Sequence, residues 1–123
     1  METGISYTSQ ACVTEHLTAI HQGSGDLPVL ATPAMVALME NAAMQCVATH
    51  LPSTDTTVGS LIETTHLRPT PVGQDVRATA TLTAIEGRKL TFRVEASDAK
   101  GTIGEGTHVR YIVSRERFME KLN

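Results

Sequence analysis

Glu40 stands where a carboxylate costs most. It lies inside the run ATPAMVALMENAAMQCVATH, Ala31–His50, which reads as one helix. Its helical neighbours four before and three, four and seven after are Val36, Ala43, Met44 and Val47. All are apolar, while the polar stripe runs through Asn41, Gln45 and Thr49. A charged group on an apolar face must be paired, hydrogen-bonded or put to work. A working carboxylate acts as a base, a nucleophile or the partner that orients one. Metal chemistry finds no matching pattern. His16, His21, His50, His66 and His108 include no pair four apart on a helix, and Cys12 and Cys46 form no close pair. The Gly104–His108 stretch, GEGTH, contains a GxG, but inside an expected strand with no helix after it, which argues against a phosphate loop.

The elements that must position Glu40 follow from patterning. Thr32 has the chemistry of an N-cap, and Pro33 suits the first helical position. The helix is expected to end near His50, where Pro52 and a polar stretch follow. Tyr7–Leu17 leans towards a first strand, and Ala19–Leu27 reads as a turn-rich loop. Beyond Val58 the period changes to two. Val76, Ala78, Ala80, Leu82 and Ala84 alternate with polar residues, as do Leu90, Phe92, Val94 and Ala96, and Val109, Tyr111 and Val113 continue the series. Turn signals fall at Pro71–Gly73, Glu86–Arg88 and Asp98–Gly101, and a short helix is expected over Arg115–Leu122. A long apolar helix and hairpins with one apolar face bury each other best when the sheet wraps the helix. The expected fold class is α+β, a five-stranded antiparallel sheet around one central helix, which is the hot-dog layout.

Composition narrows the function. The 123 residues suit a single domain spanning 1–123 with its own core. Net charge is −3 with no basic stripe, which argues against nucleic acid. Tyr7, Phe92, Tyr111 and Phe118 are too few and scattered for a base-stacking platform. Two isolated cysteines suit a reducing compartment. With no basic-then-apolar leader, and no uninterrupted apolar run approaching the ~20 residues of a membrane span, the expectation is a cytoplasmic protein without a membrane partner.

Three segments, ATPAMVALMENAA, VGSLIETTHLRPTPVGQDV and EGRKLTFRVEASDAKGTIGEGTHVRYIV, together resemble the hot-dog thioesterases, and within them the fluoroacetyl-CoA thioesterase family. The resemblance covers roughly residues 8–118. It implies hydrolysis of an acyl-CoA thioester by a threonine, a glutamate and a histidine, which here fall on Thr32, Glu40 and His66. A family glycine implicated in substrate contacts falls on Gly59. The family's fluoroacetyl specialist carries phenylalanines in the lid before the helix, whereas Gln22–Leu30 here holds no aromatic residue. The expected substrate is therefore a plainer short-chain or aromatic acyl-CoA.

This assignment is chemically coherent. Thr32 and Glu40 are separated by about 12 Å of helix axis, and helical side chains lean towards the N-terminus, so Glu40 reaches back towards Thr32. An imidazole fits the remaining gap, with His66 linking the two within one chain or across a dimer. Glu40 would orient His66 or act directly as base or nucleophile, and His66 would take a proton from Thr32 or from water. N–H groups at the helix start would polarise the carbonyl. No cofactor is expected beyond the CoA of the substrate, and no metal. For the CoA phosphates, Arg68, Arg88, Lys89 and Arg110 are suitable by type, with Arg68, close to His66, assigned to substrate binding. The resemblance also implies a homodimer or a dimer of dimers, joined near the strand that contains His66. Two other readings share the fold: a non-catalytic acyl-CoA binding module, and a dehydratase or hydratase acting on β-hydroxyacyl thioesters.

Overall fold

The computed structural model describes residues 1–123. Strand β1 (Ser6–Cys12) leads into a 3-10 turn (Glu15–Leu17) and a one-turn helix α1 (Ala19–Gln22). The long helix α2 (Thr32–Ala48) follows, then β2 (Asp55–Thr64), β3 (Asp75–Glu86), β4 (Lys89–Asp98), β5 (Gly101–Ser114) and α3 (Arg115–Glu120). The strands form one antiparallel sheet in the order β1-β3-β4-β5-β2, so β1 and β2 are its edges. The expected five strands around one helix are what the structure contains. The first strand is shorter than its composition suggested, and the segment after it is coiled into two short helical turns.

The sheet curls around α2 because its register slips at three places: Gly59/Leu61 in β2, Leu82/Ala84 in β3, and in β5 opposite Ala96/Ser97, where Ile103 is left over. Such bulges bend a strand and deepen its twist. Small residues line both sides of the helix–sheet contact. Ala34, Ala42 and Ala43 of α2 are buried, as are Ala78, Ala80 and Ala96 of the sheet. Met35, Met39, Leu82, Leu90 and Phe92 fill the space between. The alternation read in β3 and β4 is observed, with Val76, Ala78, Ala80 and Leu82, and Leu90, Phe92, Val94 and Ala96, all buried.

In β5 the alternation breaks down. His108, Val109 and Arg110 are all buried, so Val109 is covered as expected, whereas Tyr111 is exposed and Val113 only half-buried. The polar members of this strand face the helix. The start of α2 also differs from expectation. Ala31 is the N-cap residue and Thr32 is already helical, with no side-chain cap. Pro33 has no N–H to satisfy, and the Ala31 carbonyl accepts from both Ala34 N and Met35 N. The first turn therefore does not need a hydroxyl cap, and Thr32 Oγ1 is left free for another partner.

The glycines of the GEGTH stretch serve close packing. A Cβ on Gly106 would collide with the Glu63 carbonyl and come within 2.7 Å of Thr64 Cα. One on Gly104 would collide with the Thr65 carbonyl and meet Met35 Sδ at 2.8 Å. These positions let the end of β2 cross tightly over β5 on its way to His66. Gly106→Ala is expected to destabilise the protein by more than about 2 kcal/mol, because the obstacle is backbone. Urea unfolding measures this, and an unchanged midpoint would contradict the crossing.

Candidate functional site

Two polar clusters lie beside α2. The first joins the helix start to the segment after β2. Thr32 Oγ1 lies 2.8 Å from His66 Nδ1. His66 itself sits two residues beyond the end of β2, in irregular backbone that continues to bond β5 through Thr65 N to Glu105 O and Leu67 N to Ile103 O. The pair borders a cleft of about 270 Å³ lined also by Ala19, Ser24, Val29, Leu30, Leu67, Arg68 and Pro69. A larger cleft, about 400 Å³ between Glu15, His21 and Val72, contains none of the candidate residues.

For His66 to accept the Thr32 proton, Nδ1 must be the unprotonated nitrogen and Nε2 must carry the hydrogen. Nε2 is buried and has no hydrogen-bond partner. Burial lowers the proton affinity of this imidazole, and the backbone of Arg68 partly offsets it. The sign favours the base form, since a lowered pKa keeps the ring neutral to more acidic pH than a free imidazole. Next to it, the helix-start donors are largely spent. Ala34 N and Met35 N are bonded to Ala31 O and Pro33 has none, so only the N–H of Thr32 remains in the first turn without a backbone partner.

The second cluster is two turns along. Glu40 lies at the flank of the buried face of α2, with 41 % of its side chain exposed. Its Oε2 is 3.7 Å from Arg110 NH1. Arg110 is almost fully buried and is held by Thr57, Nε donating to Oγ1 at 2.7 Å and NH2 to the carbonyl at 2.9 Å. Its NH1 also lies 3.2 Å from His108 Nε2. His108 Nδ1 faces the Leu61 carbonyl at 2.7 Å. A carbonyl only accepts, so Nδ1 carries the proton and Nε2 accepts from Arg110. His108 is thus a neutral ring of fixed tautomer, with its pKa lowered by burial first and by the Arg110 charge as well. Burial likewise lowers the pKa of Arg110, opposed by Glu40.

Gly59 lies over this cluster. A Cβ there would stand 3.0 Å from Glu40 Oε2, 3.2 Å from His108 Cε1 and 3.4 Å from Arg110 NH1. Its missing side chain gives the carboxylate room to approach the guanidinium.

The five residues singled out in the sequence therefore divide. Thr32 and His66 meet directly. Glu40 and Gly59 meet around Arg110, and the expected bridge from Glu40 through His66 to Thr32 is not formed within the chain. The reason is competition: the nearest fixed cation to Glu40 is Arg110, and His66 is held at the helix start by Thr32. Arg68 borders the cleft, but its NH2 is paired with Asp98 at 3.0 Å and its Nε bonds the Thr102 carbonyl. Sequence reading underrated Arg110 and His108. The available signal was the spacing of His108 and Arg110, two polar residues two apart on one face of β5.

The family model for fluoroacetyl-CoA-specific thioesterases matches residues 13–116. The curated fluoroacetyl-CoA thioesterase of Streptantibioticus cattleyicolor is 37% identical over 128 residues, covering 99% of this chain and 92% of that protein. A solved structure of a threonine-to-serine mutant of the fluoroacetyl-CoA thioesterase in complex with acetyl-CoA superposes with a TM-score of 0.94 at 35% identity, over 99% of this chain and 96% of that one. A thioesterase superfamily member from Thermus thermophilus gives a TM-score of 0.90 at 28% identity, over 98% and 90% of the two chains.

The buried His108 and the half-buried His66 supply a test of these assignments. In a pH titration followed by histidine ¹⁵N NMR, His66 and His108 are expected to protonate below about 6.5, the ordinary imidazole value. His108 is expected to show the Nδ1–H tautomer throughout its neutral range. An ordinary or raised pKa for His66 would contradict its burial.

Proposed function

Because the chain belongs to the fluoroacetyl-CoA-specific thioesterase family, we propose that it hydrolyses a short-chain or aromatic acyl-CoA thioester to the free acid and CoA. The observation that carries this reading is the 2.8 Å contact of Thr32 Oγ1 with His66 Nδ1 in an open cleft. A threonine hydroxyl is a weak nucleophile, and an imidazole held neutral by burial is the base that activates it. His66 takes the proton of Thr32, or of a water that Thr32 positions, as the oxygen attacks the thioester carbonyl. Collapse of the tetrahedral intermediate expels the CoA thiolate, which takes up the proton. If Thr32 is acylated, water repeats the sequence on the ester. The free N–H of Thr32, at the positive end of α2, stabilises the oxyanion.

Glu40, which does not reach His66 within the chain, is assigned to complete the proposed site across a dimer interface, as the carboxylate that polarises the reacting water or the imidazole, with Arg110 setting its position. Gly59 keeps the approach to this carboxylate open, and substrate contacts are assigned to it. The Gln22–Leu30 segment, free of aromatic side chains, supports a substrate whose acyl group needs no fluorine-selective gate.

The proposed assembly is at least a homodimer. Edge strand β2 leaves Gly59, Ser60 and Leu61 exposed, and the neighbouring flank of α2 leaves Val36 and Met44 only half-covered. Two unpaired edges meeting would cover both. No helix is long and apolar enough to cross a membrane, and the two free cysteines support a cytoplasmic setting.

Thiol release from acetyl-, fluoroacetyl-, medium-chain and aromatic acyl-CoA esters tests the activity. Glu40→Gln is expected to lower turnover by about 10²- to 10⁴-fold with the melting temperature retained. Wild-type turnover in that variant would remove Glu40 from the mechanism, and CoA binding without thiol release would favour a binding module. Light scattering at micromolar concentration is expected to give a dimer mass or a multiple of it, and a monomer would overturn the assembly.

A further inference from the structure

The inward-facing series of β4 ends on a charge. Leu90, Phe92, Val94 and Ala96 are buried apolar residues, and Asp98, next in the same alternation, is also buried, 8 % exposed. An ionised carboxylate there is tolerable only if its oxygens are satisfied. They are. Oδ1 accepts from Arg68 NH2 at 3.0 Å and from Lys100 N at 2.8 Å, and Oδ2 accepts from Thr70 Oγ1 at 2.8 Å.

Two of these partners belong to the segment that carries His66: Arg68 lies two residues beyond it and Thr70 four. Thr70 is fully buried, and its carbonyl accepts from Leu30 N at 2.9 Å. Leu30 lies two residues before Thr32. The carboxylate therefore grips the one stretch of chain that touches both halves of the Thr32–His66 pair. No other buried side chain links β4 to this stretch by hydrogen bonds from two of its residues.

We propose that Asp98 is a positioning residue for the thioesterase reaction proposed above, holding the His66 segment against the start of α2. It makes no contact with Thr32 or His66 and acts through Arg68 and Thr70. The assignment also gives Arg68 a role other than CoA binding, since its guanidinium is committed to Asp98 and to the Thr102 carbonyl. The electrostatics agree. Burial alone would raise the Asp98 pKa, but the bonds from Thr70 and Lys100 and the Arg68 charge bring it below the ordinary carboxylate value, so the group is ionised at neutral pH.

Inference and mechanism are tested separately by pairing kinetics with histidine ¹⁵N NMR on Asp98→Asn and Thr70→Val. Asp98→Asn removes the charge with little change of shape, and Thr70→Val removes one hydrogen bond and carries the test if the first variant does not fold. With the best acyl-CoA ester and below the melting temperature, kcat is expected to fall by about 10- to 100-fold, the scale of a misplacement near 1 Å, with KM changed by less than about threefold. The His66 ring signals are expected to move from one fixed tautomer towards the averaged values of a free imidazole. A purely structural role predicts a lower melting temperature with kcat and His66 signals as in the wild type, and that result overturns the proposal. If the wild type itself releases no thiol, the thioesterase reading fails while the NMR comparison still decides whether Asp98 holds His66.

Discussion

Everything in this molecule depends on how close a helix can lie to a sheet that bends around it. Alanines at 34, 42 and 43 on the helix meet alanines at 78, 80 and 96 on the sheet. Cores are packed at crystal-like density, so the small volumes on each side translate directly into a short separation. That separation brings the start of α2 within hydrogen-bonding reach of a segment 34 residues later, where Thr32 meets His66. It also brings Glu40 within reach of a guanidinium on the fourth strand in sheet order. Larger residues at these positions would move both polar clusters apart before touching any member of them.

The same closeness makes the polar residues expensive to bury, and the fold answers by satisfying them locally. Arg110 is buried but held by both oxygens of Thr57, by the lone pair of His108 and by the charge of Glu40. A buried ion pair of this kind is weak evidence for stability, because desolvation offsets much of its attraction. Its value here is directional. A guanidinium anchored by a fixed fork of donors, with NH1 shared between His108 and the carboxylate, sets the position of the charge that Glu40 faces. His66 is the exception, with one ring nitrogen bonded and the other buried without a partner. An unsatisfied polar atom beside a cleft is typical of a working site rather than of a core.

Elements with a strong period were legible from residue types alone. The helix, β3 and β4 followed their apolar spacing, and turn glycines fell where positive φ is needed, as at Gly73, Gly87 and Gly101. Glu40 drew attention for a sound reason, an uncompensated charge on an apolar face, but its compensation was not visible because Arg110 lies seventy residues on. β5 defeated the alternation rule because its inner face is polar where the rule expects apolar residues, and periodicity carries no label for which face is inside. Thr32 was expected as a cap because threonine before proline suits one; the backbone of Ala31 did that work instead. Local propensity reports what a residue can do, and the long-range partner decides which option is used.

The two helical turns between β1 and α2 have a consequence for rates. The 3-10 turn and α1 bury no residue of their own, and α1 is a single turn. Their attachment runs through Thr18 and Leu30, which are buried and bridge to each other, and through Leu17 and Ala19, which are partly buried against the core. Such a segment belongs to the low end of the range of local unfolding free energies, far below the global value set by the helix and sheet. Its detachment would leave the core residues of α2 and the sheet in place. Opening of the cleft that Ala19 and Ser24 border would then draw on this local free energy and not on the global stability of the fold.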